Sequence, residues 1–483
     1  MLVLAIVFPR DFLFGFSESG FQFEMGFKGS EDPNSDWWVW VRDFENVISG
    51  VVSGDLPEDG VGYWDLYSAD HELAARLGMN CARIGVEWSR IFPRPTYDVR
   101  VDVERDEGGN ITSIGVDYRA LEELDRVASR EAVGRYRSIL GDWRSRGGIV
   151  IVNLNHFTLP LWLHDPVAVR RQGPGRAPSG WLSSSAVVEF AKYASYIAWK
   201  FDDLADYYST LNEPTIIYIA GYLNVKSGFP PGYISFDAAR EAAKNLAEAH
   251  ARAYEAIKRI SKKPVGLINA TTAVEPISPD HAELAEIASS IINYPILDAV
   301  TTGKSMIIGE RRDLAGKLDW IGVNYYSRTV IKPDTPPLGF KLVEGYGFNC
   351  GGVTSLAGRR CSDFGWEVYP EGLYKVLLEV WRRYGLEIIV TENGVADKED
   401  IIRPGFIASH MAMTAKALEE GVKVKGYLHW ALTDNYEWAQ GFRMRFGLAK
   451  VDYESKKRKL RPSSLIFKEI AENRGIPGEL EYV

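Results

Sequence analysis

The sequence IVIVNLNH, at residues 149–156, contains the pattern that decides the fold of this chain. Its first four residues are β-branched, which favours a strand. A continuous apolar run, rather than an alternating one, is typical of a strand covered on both faces, as in a parallel sheet. The run ends in Asn155 and His156. The segment therefore predicts a buried strand whose carboxyl end bears polar side chains.

Seven further runs have similar length and composition, and stretches with apolar residues at helical spacing separate most of them. The runs are residues 12–17, 82–88, 206–211, 264–269, 318–325, 387–391 and 424–430, and the helical stretches are 69–77, 185–201, 236–261, 370–384 and 407–420. Alternating strands and helices predict an α/β protein with a parallel sheet. Eight units favour a (β/α)8 TIM barrel with inserted βα loops. A doubly wound sheet with an extra domain is the alternative, but no glycine-rich phosphate loop follows the first strand.

Nearly every run ends in polar or aromatic residues. These clusters include Arg83 with Glu87-Trp88, Asn155-His156, Asn212-Glu213, Asn324-Tyr325-Tyr326, Glu392-Asn393 and His429-Trp430. In an eight-stranded α/β barrel the active site is built from the carboxyl ends of the strands. We therefore expect these side chains to converge.

Composition restricts the class of protein. The 483 residues have a net charge of −9, which argues against a general nucleic-acid binder. No apolar stretch approaches the ~20 residues of a membrane span, and residues 2–8 are too short and wrongly flanked for a signal peptide, so we expect a cytoplasmic protein without membrane partners. The cysteines form no CxxC pair; Cys350 and Cys361 could pair in space, but a cytosolic chain favours free thiols. The histidines form no HExxH motif, so we expect neither metal nor cofactor.

Three segments interrupt the barrel pattern. Residues 97–130 are polar and charged, residues 165–184 are rich in Pro, Gly and Arg, and residues 332–360 are rich in Gly and Pro. Each follows a predicted strand, so we expect all three on the active-site face as βα loops. No linker divides the chain, and residues 1–483 are interpreted as a single barrel domain with an insertion at about 97–130.

Two glutamates indicate the chemistry. Glu213 ends the fourth predicted strand and Glu392 the seventh. Two carboxyl groups facing each other across a pocket are what cleavage of a glycosidic bond needs. One must remain protonated to act as the acid, and the other must remain ionised, so their environments must separate their pKa values.

Several motifs resemble those of glycoside hydrolase family 1, the retaining β-glycosidases, and especially its archaeal members. They are LNEP (211–214), TENG (391–394), GMNCARIGVEWSRIFP (78–93), NHFTLPLWL (155–163), DWIGVNYY (319–326), DFGWEVYPEGL (363–373), DNYEWAQGF (434–442) and RFGLAKVDY (445–453). These motifs occur in the family's order along nearly the whole chain. The resemblance independently implies a (β/α)8 barrel.

The resemblance also implies roles for individual residues. Glu213 matches the general acid/base and Glu392 the nucleophile. Arg83 matches the arginine beside the nucleophile, Tyr326 the tyrosine that hydrogen-bonds it, and Asn212 the amide that contacts the sugar 2-OH.

A second group matches the substrate-binding residues of the family: Gln22, His156, Asn324, Trp430, Glu437, Trp438 and Phe446. Phe157, where many members have tryptophan, is a departure that leaves the sugar preference open. Trp430 matches the floor of the sugar pocket, with a cis peptide bond to Ala431. Glu437 occupies a position where the related 6-phospho-β-glycosidases have serine, so the resemblance favours an unphosphorylated sugar.

These observations together predict a retaining exo-β-glycosidase that releases terminal glucosyl or galactosyl residues, with fucosyl or mannosyl residues as further options, and that can transglycosylate. The expected substrates are oligosaccharides or aryl and alkyl β-glycosides. The alternatives are a 6-phospho-β-glycosidase and a carbohydrate-binding barrel without catalysis. Scarcity of Gln and Cys suggests heat adaptation, and the likeness to archaeal members implies a homo-oligomer, by likeness a tetramer.

Overall fold

The computed structural model describes residues 4–336 and 338–477, and its centre is a closed barrel of eight parallel strands. Each strand pairs with the next along the chain and the last pairs with the first. The strands are β1 (Leu13–Ser17), β2 (Cys81–Gly85), β3 (Ile149–Asn155), β4 (Tyr207–Asn212), β5 (Val265–Ala270), β6 (Trp320–Asn324), β7 (Glu387–Asn393) and β8 (Val424–His429). The predicted barrel is confirmed, and the doubly wound alternative is excluded.

One principal helix follows each strand and packs outside the barrel. These helices are α1 (Tyr63–Arg76), α2 (Arg130–Ser145), α3 (Ser184–Phe201), α4 (Phe236–Ile260), α5 (Pro295–Thr302), α6 (Pro370–Tyr384), α7 (Arg403–Glu419) and α8 (Ser463–Asn473). The remaining α-helices are Gly20–Phe23, Asp36–Trp40, Phe44–Ile48, Trp88–Ile91, Tyr118–Val127, Pro166–Gln172, Pro214–Tyr222 and Ala282–Ile292. No helix of the described ranges combines the length and apolarity needed to cross a membrane.

Short strands and 3-10 turns complete the chain. The strands are Leu4–Val7 with Gly475–Pro477, Asp102–Arg105 with Ile111–Gly115, Lys304–Ser305 with Gly309–Glu310, Ala449–Val451 with Arg458–Leu460, and the set Ala273–Pro276, Arg328–Pro333 and Phe340–Leu342. The 3-10 turns are Pro57–Asp59, Pro174–Arg176, Gly180–Leu182, Val225–Ser227, Pro279–His281, Arg312–Leu314, Gly347–Asn349 and Trp438–Gln440.

The barrel interior is apolar at one end and polar at the other. Its apolar part is a buried cluster to which seven strands contribute: Leu13, Cys81, Ile151, Ile268, Trp320, Ile389 and Leu428. Trp320 fits because β5 has Gly266 opposite it, where a Cβ would lie 2.3 Å from the indole ring. Since strand side chains alternate in direction, the residue two positions after Cys81 faces the same interior, and that residue is Arg83. This alternation therefore places polar side chains inside the barrel at the carboxyl ends of the strands, next to the apolar cluster.

The insertion at 97–130 is placed differently from the expectation. Its hairpin, Asp102–Arg105 with Ile111–Gly115, lies along the outer helices. Arg105 donates to Ser184 Oγ at 3.2 Å, and the Ile111 backbone N–H donates to Glu248 Oε2 on α4 at 3.2 Å. Ile111 and Ile114 are both fully buried there. Burial of these apolar side chains holds the hairpin against the outer helices.

The cysteines also differ from the expectation. Cys350 and Cys361 form a disulfide, with Cα atoms 6.4 Å apart, and Cys81 is the free cysteine of the described residues. The intervening segment folds back on itself, which brings the two Cα atoms within the usual disulfide range. Spacing along the sequence does not reveal that return.

Candidate active site

Glu213 and Glu392 lie at the carboxyl ends of β4 and β7. Glu213 has backbone angles of φ 49° and ψ 53°, in the left-handed region, and Pro214 then begins the helix Pro214–Tyr222. A non-glycine residue in this region costs on the order of 1–3 kcal/mol and is characteristic of functional sites. A sharp turn from strand to helix thus fixes the direction of the Glu213 side chain.

Both carboxylate oxygens of Glu392 accept a hydrogen bond. Arg83 Nη1 donates to Oε1 at 2.7 Å, and the Tyr326 hydroxyl donates to Oε2 at 2.7 Å. Burial, together with the charges of Glu392 and Glu213, raises the pKa of Tyr326 well above its ordinary value, so its hydroxyl retains the proton it donates. Donors to an ionised carboxylate favour the charged form. Glu392 therefore has a cationic donor on one oxygen and a phenolic donor on the other.

Glu213 has a different environment. Asn324 Nδ2 donates to its Oε1 at 2.7 Å, and the described residues include no ion pair to it. Burial, with a smaller contribution from the negative charge of Glu392, raises the pKa of Glu213 to about 8. At neutral pH this carboxyl group is protonated. The two acids of the pocket thus have different partners, a guanidinium for Glu392 and an amide for Glu213.

Arg83 links the surrounding side chains. It is fully buried, and its Nη2 donates to Asn212 Oδ1 at 3.0 Å and to His156 Nδ1 at 2.7 Å. Burial and the charge of Arg83 lower the pKa of His156 well below its ordinary value, so the imidazole is neutral and can accept from the guanidinium. Asn324 Nδ2 also lies 3.0 Å from Asn212 Oδ1. These contacts connect the ends of β2, β3, β4 and β6.

A third acid, Glu437, lies on the far side of the pocket. Gln22 Nε2 donates to Glu437 Oε2 at 3.3 Å and to Asn435 Oδ1 at 3.1 Å, and Ser19 donates to Gln22 Oε1 at 2.8 Å. Burial and the charges of Glu392 and Glu213 raise the pKa of Glu437 to about 8. Glu437 thus lies close enough to Glu213 and Glu392 for their charges to raise its pKa.

Aromatic rings form the walls. The His156 ring stacks between Trp430 and Trp438, with centroids 5.8 and 5.9 Å away. Phe157 meets Trp438 edge to face at 5.2 Å, and Phe446 meets Tyr326 at 6.1 Å. Flat apolar faces next to hydrogen-bonding groups are well suited to bind sugar rings.

Two local features of the backbone shape this end of the barrel. A Cβ on Gly394, the last residue of TENG, would lie 1.7 Å from the Trp430 carbonyl oxygen, so only glycine permits this approach of β7 to β8. The Trp430–Ala431 peptide bond is cis, as the resemblance predicts.

All thirteen predicted site residues lie in this one network, but the sequence reasoning left three contributors without a role. Thr391 donates to Asn324 Oδ1 at 2.7 Å and so orients the amide that contacts Glu213. Asn435 accepts from Gln22. The Trp366 ring packs against Tyr326 at 5.3 Å. Each lies within a quoted motif, which is the signal that could have identified it.

The described residues contain no group of three or more histidine, cysteine, aspartate or glutamate side chains arranged to hold a metal ion. What the arrangement offers is acid–base and nucleophilic chemistry by carboxyl groups.

Comparison with known proteins agrees with this chemistry. The profile of Glycosyl hydrolase family 1 matches residues 4–101 and 128–476, leaving out most of the hairpin insertion. A β-galactosidase from Sulfolobus acidocaldarius is 51% identical over 99% of this chain and 97% of its own length. The crystal structure of the β-glycosidase from Thermosphaera aggregans superimposes with a TM-score of 0.96, at 57% identity and 99% coverage of each chain. A solved β-glucosidase mutant, derived from a hyperthermophilic tetrameric structure, has a TM-score of 0.93 and 51% identity, covering 99% of this chain and 98% of its own.

Proposed function

The chain belongs to glycosyl hydrolase family 1 and is a retaining β-glycosidase, and on that basis we propose that Glu392 is its nucleophile and Glu213 its general acid and base. The observation that carries the assignment is the contrast between the two carboxyl groups. Glu392 accepts from Arg83 and Tyr326, whereas the pKa of Glu213 is raised to about 8. A retaining mechanism needs one ionised and one protonated carboxyl group.

In the first step Glu392 attacks the anomeric carbon while Glu213 gives its proton to the departing glycosidic oxygen, which leaves a covalent glycosyl-enzyme. Esterification removes the negative charge of Glu392, and that charge is one cause of the raised pKa of Glu213. The pKa of Glu213 therefore falls as the intermediate forms. Glu213 can then accept a proton from the water that hydrolyses the ester, and a sugar hydroxyl in place of water gives transglycosylation.

The sugar itself is proposed to lie between the aromatic walls, with Gln22 and Glu437 bonding its hydroxyl groups and Asn212 its 2-OH. This part of the pocket supports an unphosphorylated terminal residue. A phosphate dianion would add negative charge beside Glu392, whose charge already contributes, after burial, to the raised pKa values of Glu213 and Glu437. The phospho-glycosidase alternative is thus disfavoured, and a non-catalytic role is disfavoured because both acids are present.

We also propose that the protein acts as one catalytic domain and assembles into a homo-oligomer. The assembly is supported by its similarity to a β-glucosidase mutant derived from a tetrameric structure. Light scattering tests it, and a monomeric mass at micromolar concentration would contradict it.

The test of the catalytic assignment is hydrolysis of nitrophenyl β-glucoside and β-galactoside by the wild type, Glu392→Gln and Glu189→Gln. Glu189 is a matched control because it is a buried carboxylate, 2.7 Å from Lys192 on α3, and lies outside the network around Glu392. We expect Glu392→Gln to lose several orders of magnitude in kcat and Glu189→Gln to retain activity. Proton NMR of the first product should show the β-anomer. A fully active Glu392→Gln variant would refute the assignment.

A further inference from the structure

A fully buried carboxylate, Glu367, lies directly behind the aromatic wall of the active site. It follows Trp366, whose ring packs 5.3 Å from Tyr326 and 6.2 Å from Phe446. Tyr326 in turn donates to Glu392. Glu367 is therefore adjacent in sequence to one wall residue of the pocket.

Its carboxylate accepts four hydrogen bonds. Arg328 binds it with two nitrogens, Nε to Oε2 at 2.7 Å and Nη2 to Oε1 at 2.9 Å. The Gly347 backbone N–H donates to Oε2 at 2.9 Å and Ser355 Oγ to Oε1 at 2.6 Å. Burial acts to raise the pKa of Glu367, but these donors hold it below its ordinary value. A bidentate pairing of this kind fixes direction as well as distance.

The same residue is bonded to the chain that carries Tyr326. Arg328 is two residues after Tyr326, and Ser327 Oγ, between them, donates to the Glu367 carbonyl oxygen at 2.7 Å. Side chain and backbone of Glu367 thus hold both residues that follow Tyr326. Tyr326 is left little freedom to move relative to Trp366.

Glu367 also anchors the inserted segment after β6. Gly347 and Ser355 belong to this segment, which the disulfide between Cys350 and Cys361 closes. Cys361 forms an antiparallel bridge with Glu367 itself. One carboxylate therefore joins the strand end bearing Tyr326, the residue pair bearing Trp366, and the inserted loop.

We propose that Glu367 is a positioning residue for the glycosidase reaction, which acts by holding Tyr326 in hydrogen-bond distance of Glu392 and Trp366 against Tyr326. The inference rests on the proposed role of Glu392 as nucleophile. Glu367 does not contact the reacting atoms. Its effect on the rate comes from geometry, since a displacement of about 1 Å in an active site can cost about 10²-fold.

The test is Glu367→Gln, with kcat and KM measured separately for nitrophenyl β-glucoside. An amide places N–H groups against the Arg328 guanidinium and breaks the bidentate pair. We expect kcat to fall about 10- to 100-fold while KM changes little, because Tyr326 contacts the nucleophile Glu392.

Asp298→Asn is the matched control. Asp298 accepts from Arg383 Nε at 2.9 Å and Nη2 at 2.6 Å, a bidentate pair between α5 and α6. It should lower thermal stability as much as Glu367→Gln while leaving kcat unchanged. A purely structural role for Glu367 would give the same result at both positions.

Ser355→Ala removes one of the four donors and guards against misfolding of the Gln variant. It should lower kcat by a smaller factor. Wild-type kcat values for Ser355→Ala and for any folded Glu367→Gln, alongside an inactive Glu392→Gln, would overturn this inference alone. An active Glu392→Gln would instead refute the proposed function.

Discussion

Arg83 Nη1 lies 2.7 Å from Oε1 of Glu392, and this pairing gives one of the two carboxyl groups of the pocket a cationic partner, whereas Glu213 accepts a hydrogen bond from the neutral amide of Asn324. The guanidinium is fully buried, so little solvent screens its charge. It is also bonded to His156 and Asn212, which fixes its position before substrate binds. A preorganised cation of this kind requires no reorganisation at the moment of reaction.

Arg83→Lys should therefore lower kcat/KM by about 10²- to 10³-fold, since a lysine ammonium cannot reproduce the bonds to Glu392, His156 and Asn212 together. The measurement is hydrolysis of nitrophenyl β-glucoside at the optimum pH. Arg458→Lys is the control, because Arg458 also binds a buried carboxylate, Asp70, at 2.7 and 2.8 Å, at a site distinct from the pocket. Similar losses in both variants would indicate a general effect on folding.

The raised pKa of Glu213 predicts the alkaline limb of the activity profile. Its pKa of about 8 means that the proton needed by the leaving group is present below pH 8 and lost above it. The kcat/KM for an alkyl β-glucoside should accordingly fall as pH rises through about 8. The Asn324 hydrogen bond lowers this pKa, so Asn324→Ala should move the limb to higher pH.

A substrate with an excellent leaving group, such as dinitrophenyl β-glucoside, needs no protonation to leave. With the Glu213→Gln variant, we expect the glycosyl-enzyme to form from the dinitrophenyl substrate at nearly the wild-type rate. Alkyl glucosides should be hydrolysed very slowly by the same variant. Stopped-flow measurement of the burst separates the two steps. Equal losses for both substrates would contradict the acid role of Glu213.

Glu437→Gln should weaken sugar binding and stabilise the fold. The pKa of about 8 lies above the unfolded value of roughly 4.3. The folded protein therefore keeps a proton on Glu437 that the unfolded chain releases. The resulting decrease in the free energy of unfolding grows from about pH 4 to about pH 8. Calorimetry should show a higher Tm for Glu437→Gln at pH 8 and little change at pH 4.5, together with a raised KM. A lower Tm at pH 8 would contradict this prediction.

The disulfide between Cys350 and Cys361 should contribute measurably to stability. Closing a loop of this length typically stabilises a protein by about 2–4 kcal/mol. The Cys350→Ser, Cys361→Ser double variant should unfold at a lower denaturant concentration than the wild type. Reductant should shift the wild type towards the double variant and leave the double variant unchanged; an equal response of both proteins would show that the disulfide is not the cause.

Much of this structure could be predicted from the amino-acid sequence. The eight barrel strands were predicted within a few residues because a strand buried on both faces must be apolar throughout. β3 and α6 match their predicted bounds. The catalytic residues were found because they stand at strand ends, and the closure of a barrel brings those ends together. The resemblance supplied the binding residues that lie beyond the strand ends, Gln22, Glu437, Trp438 and Phe446.

Other features depend on contacts between distant segments. The sequence did not predict a role for Glu367, because that role depends on hydrogen bonds from Arg328, Gly347 and Ser355. The position of the insertion's hairpin was predicted wrongly. Its sequence is mostly polar, but two of its isoleucines are buried against the outer helices. The pairing of Cys350 with Cys361 likewise required the path of the intervening loop.

The sequence by itself determined the architecture, the family and the identity of the two acids, because strand burial, helical spacing and the LNEP and TENG motifs are local patterns. Only the tertiary structure decided how the surroundings of the two carboxyl groups differ. Glu213 and Glu392 are the same residue type at equivalent strand ends, and their difference arises from burial and from the placement of Arg83, Tyr326 and Asn324. The pKa of a buried carboxyl group depends on all neighbouring groups, and these neighbours come from β2, from β6 and from the loop after β6.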